Sequence, residues 1–354
     1  MSQFFKEKLG DLYKINTGKA NTVDQVEDGQ YSFFGRGKKI MKSNSYLYDC
    51  DAIIIAGEGT SFFPKQFSGK FNLHQRAYAI HSSNGKVDIQ YLNYFLFFNE
   101  KYFQNVAVGA TAKSLRLRHF TDLEIPFPSI NEQKRIVEKL DACMEQIDKA
   151  IKNVEQNIQN AEELFKSQLN EIFSQKAGEW IEEKLGNCLK LKSGEGLTSK
   201  NMNQNGNYDV YGGNGVVGKH DMFNMQGSQV IIGRVGAHCG NVRIVNEKIW
   251  LTDNAFKVSE FFYDFDKLFL TFLLNFKNLR NFARQSAQPV ISNSSMKDVT
   301  LCFPKNIELQ KSIASQFEEL KSKIKVLEFR YRQELIALDD LKKSILEKAF
   351  NGEL

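Results

Sequence analysis

Residues 213–220 read GNGVVGKH and meet the phosphate-loop pattern of glycines and lysine at every position except the last. That position decides the chemistry, because the hydroxyl normally found there is the Mg²⁺ ligand and His220 has none to offer. A helix should also follow and point its N-terminus at phosphate. HDMFNMQGSQV has little helical periodicity, and the corresponding stretch early in the chain reads YSFFGRGKKI. Lys219 is better read as a loop cation carried toward a phosphate backbone, as are Arg36, Lys38 and Lys39 in GRGKK.

Other catalytic sets fail in the same way. His74, His81, His119, His220 and His238 form no HExxH and no H-x-E…CxxC arrangement. Cys50, Cys143, Cys188, Cys239 and Cys302 are odd in number, far apart and without CxxC spacing, which points to reduced thiols and no zinc or disulfide framework. Neither an N/D-P-P-Y/F methyltransferase motif nor a D-x(n)-E-x-K nuclease signature stands out. The chain reads as non-catalytic, with no metal site and no cofactor of its own.

What remains are basic and amide residues on loops among aromatics: Arg36, Lys38, Lys39, Arg76, Lys113, Arg116 and Arg118 early in the chain, then Lys219, Arg234, His238, Asn241, Arg243, Arg284, Asn293 and Lys297. Arg and Asn can read base edges through paired hydrogen bonds, whereas Lys mainly holds phosphates. The charge distribution agrees with a polyanionic partner. Lys and Arg outnumber Asp and Glu by 16 to 12 over residues 1–130 and 15 to 12 over 178–305, against 7 to 9 over 131–177 and 9 to 9 over 306–354. No twenty-residue apolar run occurs and the first twenty residues are charged, so a membrane partner is not expected and the expected compartment is the cytoplasm.

These residues are positioned by an architecture stated twice. EKLGDLYKINTGKA at Glu7 returns as EKLGNCLKLKSGEG at Glu183. With an offset of about 177 residues, Gly35 falls on Gly212, AIIIAGEG on QVIIGRVG, LHQRAYAI on LTDNAFKV, and LEIPFPSINEQKRI on VTLCFPKNIELQKSI. A period this long is domain-sized, so the chain is two copies of one unit.

Each copy reads as a mixed α/β globe followed by a long helix. DAIIIAG and SQVIIG have the length and flanks of buried strands, and YLNYFLFFNEKYF and DKLFLTFLLNFKNLRNF those of buried helices. Residues 131–173 lack Pro and Gly and carry an apolar stripe through Ile136, Leu140, Ile147 and Val154. The second helix repeats the pattern at Ile313, Phe317, Leu320, Ile324, Leu327, Leu338 and Ile345. Neither stripe can be buried by its own helix, so the two are expected to pair as an antiparallel coiled coil. Phe329, Ile336, Phe350 and Leu354 lie off that seam and need another cover.

The motifs EKLGN…SGEG, YDVYGGNGVVG, SQVIIGRVG, WLTDNAF, PFPSINEQKRI with its partner CFPKNIELQKSI, and the terminal LEKAFNGEL together resemble the DNA specificity subunit of type I restriction-modification systems, over essentially the whole chain. The resemblance implies a first target-recognition domain at 1–130, a central helix at 131–177, a second recognition domain at 178–305 and a C-terminal helix at 306–354. It further implies that each domain reads one half of a bipartite, asymmetric duplex DNA target, and that the helical pair sets the gap. Two modification subunits would dock on the helices and use S-adenosylmethionine, and restriction subunits would add ATP- and Mg²⁺-dependent action. The alternatives are a coiled-coil scaffold with protein-binding globes, or the specificity module of another phage-defence methylation system.

Overall fold

The computed structural model describes residues 4–37, 39–110, 112–174, 180–284 and 288–354. The chain divides into one unit of residues 1–155 with 332–354 and a second of 156–331.

In the first unit, Phe5–Lys8 pairs antiparallel with Glu124–Phe127, so the two ends of the globe close on one another. Tyr13–Thr17, Ala77–Ser83, Ala52–Ala56 and Lys65–Phe67 follow in that order across an antiparallel sheet. A second sheet holds Met41–Ser43, Tyr31–Phe34, Lys70–Leu73 and Tyr48–Asp49, with its two central strands parallel. Strand side chains alternate between faces. Ile53 and Ile55 accordingly enter the core beneath the helix Ile89–Phe98, while Ala52 and Ile54 enter a second cluster with Phe34, Phe71 and Leu73. Burial on both faces explains why AIIIA is apolar at every position, each such isoleucine contributing about 2 kcal/mol.

The second unit repeats the plan. Trp180–Lys184 pairs with Thr300–Pro304, and Leu189–Ser193, Ala255–Phe261, Gln229–Gly233 and Val242–Val245 form its antiparallel sheet. Gly215–His220, Tyr208–Gly212 and Ile249–Leu251 form a three-stranded sheet, again with one parallel pair. Val230 and Ile232 face the core under Lys267–Phe276, whereas Ile231 faces the opposite cluster.

The two expected globe helices are each interrupted. Ile89–Phe98 stops at Asn99 and a separate helix runs Glu100–Val106, while Lys267–Phe276 stops before the left-handed Asn278 (φ 47°) and a 3₁₀ turn at Leu279–Phe282. Asp88 and Asp266 cap the longer pieces by accepting backbone N–H groups of their first turns.

The long helices are Ile130–Ser174 and Ile307–Phe350. Asn306 caps the second by accepting the N–H groups of Glu308 and Leu309. Within the first unit, Met144 and Ile147 share a core with Leu338, Ile345 and Leu346, and Lys342 reaches Asp148 at 3.4 Å. Within the second, Phe165 and Phe173 meet Phe317 at ring distances of 6.2 and 5.5 Å. Early residues of one helix meet late residues of the other in both units, so the pair is antiparallel. Ile136, Leu140, Ile147, Val154, Ile313, Phe317 and Ile324 are buried, and Leu320, Leu338 and Ile345 are half-buried. Leu327 is exposed, because the covered stripe steps from Ile324 to the half-buried Tyr331. Phe350 and Leu354 were expected to need an external cover. Phe350 is instead buried by its own unit, between Tyr91, Phe95 and Phe98, and Leu354 is half-buried against the same core.

Candidate nucleic-acid interface

GNGVVGKH is not a phosphate loop. Gly213 and Asn214 turn the chain between Tyr208–Gly212 and the antiparallel strand Gly215–His220, and no helix follows. Lys219 therefore sits exposed on a strand opposite Asp209 instead of on a flexible loop, because the turn ends before it.

In the first unit, two loops converge on Glu58, which opens the short strand Glu58–Gly59 paired with Lys113–Ser114. Arg36 follows the strand Tyr31–Phe34, Arg76 precedes Ala77–Ser83, and Glu58 follows Ala52–Ala56. The Glu58 carboxylate accepts Arg36 Nη1 at 3.1 Å and also pairs with Arg76 Nη1. Desolvation pushes the Glu58 carboxyl up, but the hydrogen bond from Arg36 and the charge of Arg76 outweigh it and hold the group below the usual carboxylate range. The approach depends on Gly57, whose N–H donates to the Arg76 carbonyl at 2.8 Å; a Cβ there would stand 2.6 Å from that oxygen. Behind the pair, the buried His74 accepts the Arg76 backbone N–H through Nδ1 at 3.0 Å. Burial and the neighbouring arginines lower its pKa and favour the neutral ring. A hollow of about 330 Å³, lined by Gly35, Arg36, Ala56, Ser61, Phe63 and Lys65 among others, opens beside the cluster.

The remaining early candidates spread around this locus. Arg116 and Arg118 are exposed on either side of the turn where the buried His119 accepts the Arg116 N–H at 3.2 Å. Lys113 is exposed but donates to the Gln104 carbonyl at 2.7 Å. Lys39 is exposed, and Lys38 lies outside the described residues.

In the second unit the matching loops also touch, with different chemistry. A Cβ on Gly213 would lie 2.1 Å from the Val235 carbonyl oxygen and 3.1 Å from that of Asn254. Asn214 Oδ1 accepts the His238 N–H at 3.1 Å, and Asn241 closes the same loop through backbone bonds to His238 and Gly233. The Arg234 guanidinium lies 5.3 Å from the Phe256 ring centre and donates to the Asp253 carbonyl, while its Nε is buried without a partner among the described residues. Arg243 lies against Gly215, and a hollow of about 300 Å³ between these loops is lined by Asn214, Val235 and Asn254.

Arg284 is exposed, with its backbone bridged to Val290. Asn293 and Lys297 belong to a different place, the short helix Asn293–Met296 and its end, where Asn293 donates to the Leu191 carbonyl and Lys297 packs on Gly186. Glu58, Asn214 and Asn254 were missed by the search for basic and amide groups; the signals that marked their segments were the overlays of AIIIAGEG on QVIIGRVG for Glu58, of YSFFGRG on YDVYGGN for Asn214 and of LHQRAYAI on LTDNAFKV for Asn254.

The type I restriction modification DNA specificity domain matches residues 1–158 and again residues 177–336. The chain belongs to this family. Among curated relatives, this chain is 36% identical over 137 residues to the Escherichia coli type I restriction enzyme EcoDI specificity subunit, covering 39% of this chain and 30% of that protein. It is 28% identical over 255 residues to the Escherichia coli type I restriction enzyme EcoprrI specificity subunit, covering 67% of this chain and 63% of the relative. The chain thus matches less than two thirds of either relative's length. Its fold is that of a chain solved in work on complex assembly and conformational transition of the type I R-M system, with a TM-score of 0.78, 15% identity, and 99% and 98% of the two chains covered. The HsdS subunit from Thermoanaerobacter tengcongensis gives 0.56 at 16% identity, covering 99% of this chain and 97% of that one.

Among the described residues no group of His, Cys, Asp or Glu could hold a metal ion, and no helix is long and apolar enough to cross a membrane.

Proposed function

We propose that the chain is the DNA-recognition subunit of a type I restriction-modification complex and has no catalytic activity of its own. Each repeat reads one half of a bipartite, asymmetric duplex target. The long helices set the gap and dock two modification subunits, which methylate adenine with S-adenosylmethionine; restriction subunits add ATP- and Mg²⁺-dependent translocation and cleavage.

The observation that carries this reading is that equivalent loop pairs meet in both repeats and bear different donor sets, Arg36 and Arg76 on Glu58 in one, Asn214 with His238 near Arg234 and Arg243 in the other. Symmetric half-sites would be served by identical loops, as they are in symmetric dimers. Fusing two copies in one chain lets each diverge toward its own bases. Lys39, Lys113, Arg116, Arg118, Lys219, Arg284, Asn293 and Lys297 then serve as flanking contacts, the lysines mainly to phosphate.

The test is to map adenine methylation across the source genome with the gene intact and deleted. One gapped, asymmetric motif should lose methylation on deletion. If no gapped motif is present while the partner genes are active, the reading fails and a protein-binding scaffold takes its place. DNA affinity of the full complex should also fall steeply with salt, by about 0.9 in log–log slope per phosphate contacted.

A further inference from the structure

Arg36, Glu58 and Arg76 form one ion-paired set, to which the Ser114 hydroxyl adds a long hydrogen bond onto Glu58 Oε1 at 3.5 Å. Each arginine gives one nitrogen, Nη1, to the carboxylate, and among the described residues neither guanidinium has a second hydrogen-bond partner. The arginine side chains are 49% and 54% exposed while the Glu58 side chain is 17% exposed, so Glu58 lies beneath the pair and the arginines lie outward. Two guanidiniums brought together repel each other, and Glu58 offsets that repulsion while anchoring each by one charge-assisted hydrogen bond. His74, beneath Arg76, adds no further positive charge while it is neutral.

The chemistry of the outward face selects its ligand. The set carries a net charge of +1, against +2 for the bare arginine pair, so the carboxylate weakens its pull on a phosphate. A base edge is neutral and bears no such loss. An arginine with Nε and Nη2 unspent presents two parallel donors, which match the O6 and N7 acceptors of guanine in the major groove.

The second repeat supplies the comparison. On the overlay of the repeats, Arg36 falls on Gly213, Glu58 on Val235 and Arg76 on Asn254. Those three positions are also neighbours, in backbone contact, and carry no charged side chain. One locus of the fold is therefore occupied in both repeats, by an Arg–Glu–Arg set in the first and by Gly, Val and Asn in the second.

We propose that Glu58 is a positioning residue for base recognition, holding Arg36 and Arg76 as preorganised readers of a guanine-containing step in the half-site of the first repeat. This rests on the DNA-recognition reading above and adds a residue, a mechanism and a base class to it.

The experiment uses the full chain co-expressed with its cognate modification subunits, with methylated motifs read by single-molecule sequencing for the wild type, Glu58→Gln, Glu58→Asp and Arg36→Ala. Wild type should give a gapped motif with a G·C pair in one half-site. Glu58→Gln should relax that position by about tenfold in base discrimination, with the other half-site and the melting temperature unchanged. Glu58→Asp should restore part of the selectivity, and Arg36→Ala should relax the same position.

If wild type gives no gapped motif, the DNA-recognition reading falls and this proposal with it. Given a wild-type motif, unchanged base selection in Glu58→Gln or Arg36→Ala overturns the positioning role alone. So does tighter, more salt-dependent binding of all sequences by Glu58→Gln, which would make the arginines phosphate contacts. Parallel loss of methylation at both half-sites, with a lowered melting temperature, would make Glu58 a structural clip and equally overturn it.

Discussion

Gln133 and Gln310 occupy the same position of the two repeats, are both fully buried, and make the same set of side-chain hydrogen bonds. Gln133 accepts the Asp88 N–H at 2.8 Å and donates to the Lys86 and Pro128 carbonyls, both at 2.9 Å. Gln310 accepts the Asp266 N–H at 2.9 Å and donates to the Asp264 and Pro304 carbonyls at 3.2 and 2.8 Å. In each unit one amide thus ties the first turn of a long helix to the residue that caps the main helix of the globe and to the strand end before it. Only a side chain with both a donor and an acceptor at its tip satisfies all three groups.

Replacing either glutamine with alanine strands buried backbone groups, so Gln133→Ala or Gln310→Ala should cost about 2 kcal/mol in the unit that carries it. Glutamate should be worse, since a carboxylate cannot donate to the two carbonyls and brings a buried charge. Denaturant unfolding followed by probes in each unit separates the two effects. A loss shared equally by both units would sink the assignment of each glutamine to its own unit.

Phe350 and Phe329 lie on one helix and should behave oppositely. Phe350 is buried between Tyr91, Phe95 and Phe98 at ring distances of 5.4, 5.3 and 5.6 Å, whereas Phe329 is 64% exposed. Phe350→Ala should cost about 3–5 kcal/mol in the first unit through lost burial and a residual cavity. Phe329→Ala should change stability by no more than about 0.5 kcal/mol. Paired melting curves on the isolated chain check both.

The strands AIIIA and QVIIG and the long helices were legible because their signals are local, an apolar run between turn residues and an apolar stripe without Pro or Gly. The repeat was legible because the glycines of both copies keep their offset. The Arg36–Glu58–Arg76 set was not, since its members lie on two loops and a two-residue strand that only the fold brings together. Lys219 was misplaced onto a loop because GNG looks like phosphate-loop glycines, when it is the turn of a hairpin whose second strand contains the lysine. Phe350 looked unpaired because the aromatics that cover it come from a helix more than two hundred residues earlier.

The histidines His74, His81 and His119 all belong to the first unit, and burial lowers the pKa of each, with nearby cations adding to the effect. A base whose pKa is lower folded than unfolded binds fewer protons when folded, so its contribution to stability is complete above the unfolded value of about 6.5 and is lost as pH falls below it. Protonation of Nδ1 would also remove the acceptor that His74 offers to Arg76 and His119 to Arg116. The first unit should therefore melt at a lower temperature at about pH 5.5 than at pH 7.5. His74→Gln, which keeps an acceptor but no titrating group, should weaken that dependence. A flat profile in the wild type would contradict the neutral state of these rings.

Thiol labelling should distinguish the two units. Cys188, Cys239 and Cys302, all in the second, are buried, and burial with the nearby Glu183 pushes the Cys188 thiol up to about 12. Only thiolate attacks a maleimide or a disulfide reagent. Cys188 is therefore inert near neutral pH on two counts, access and ionisation. Cys50 and Cys143, in the first unit, are half-buried; Cys50 is held back by its own raised pKa, which burial and the carboxylates of Asp51 and Asp49 cause. In native protein Cys143 should label first and Cys50 more slowly. The three thiols of the second unit should react only at the rate at which that unit opens, which makes them reporters of its local stability. Mass spectrometry of peptides after timed labelling checks the order, and early modification of Cys188 in folded protein would contradict its placement in the core.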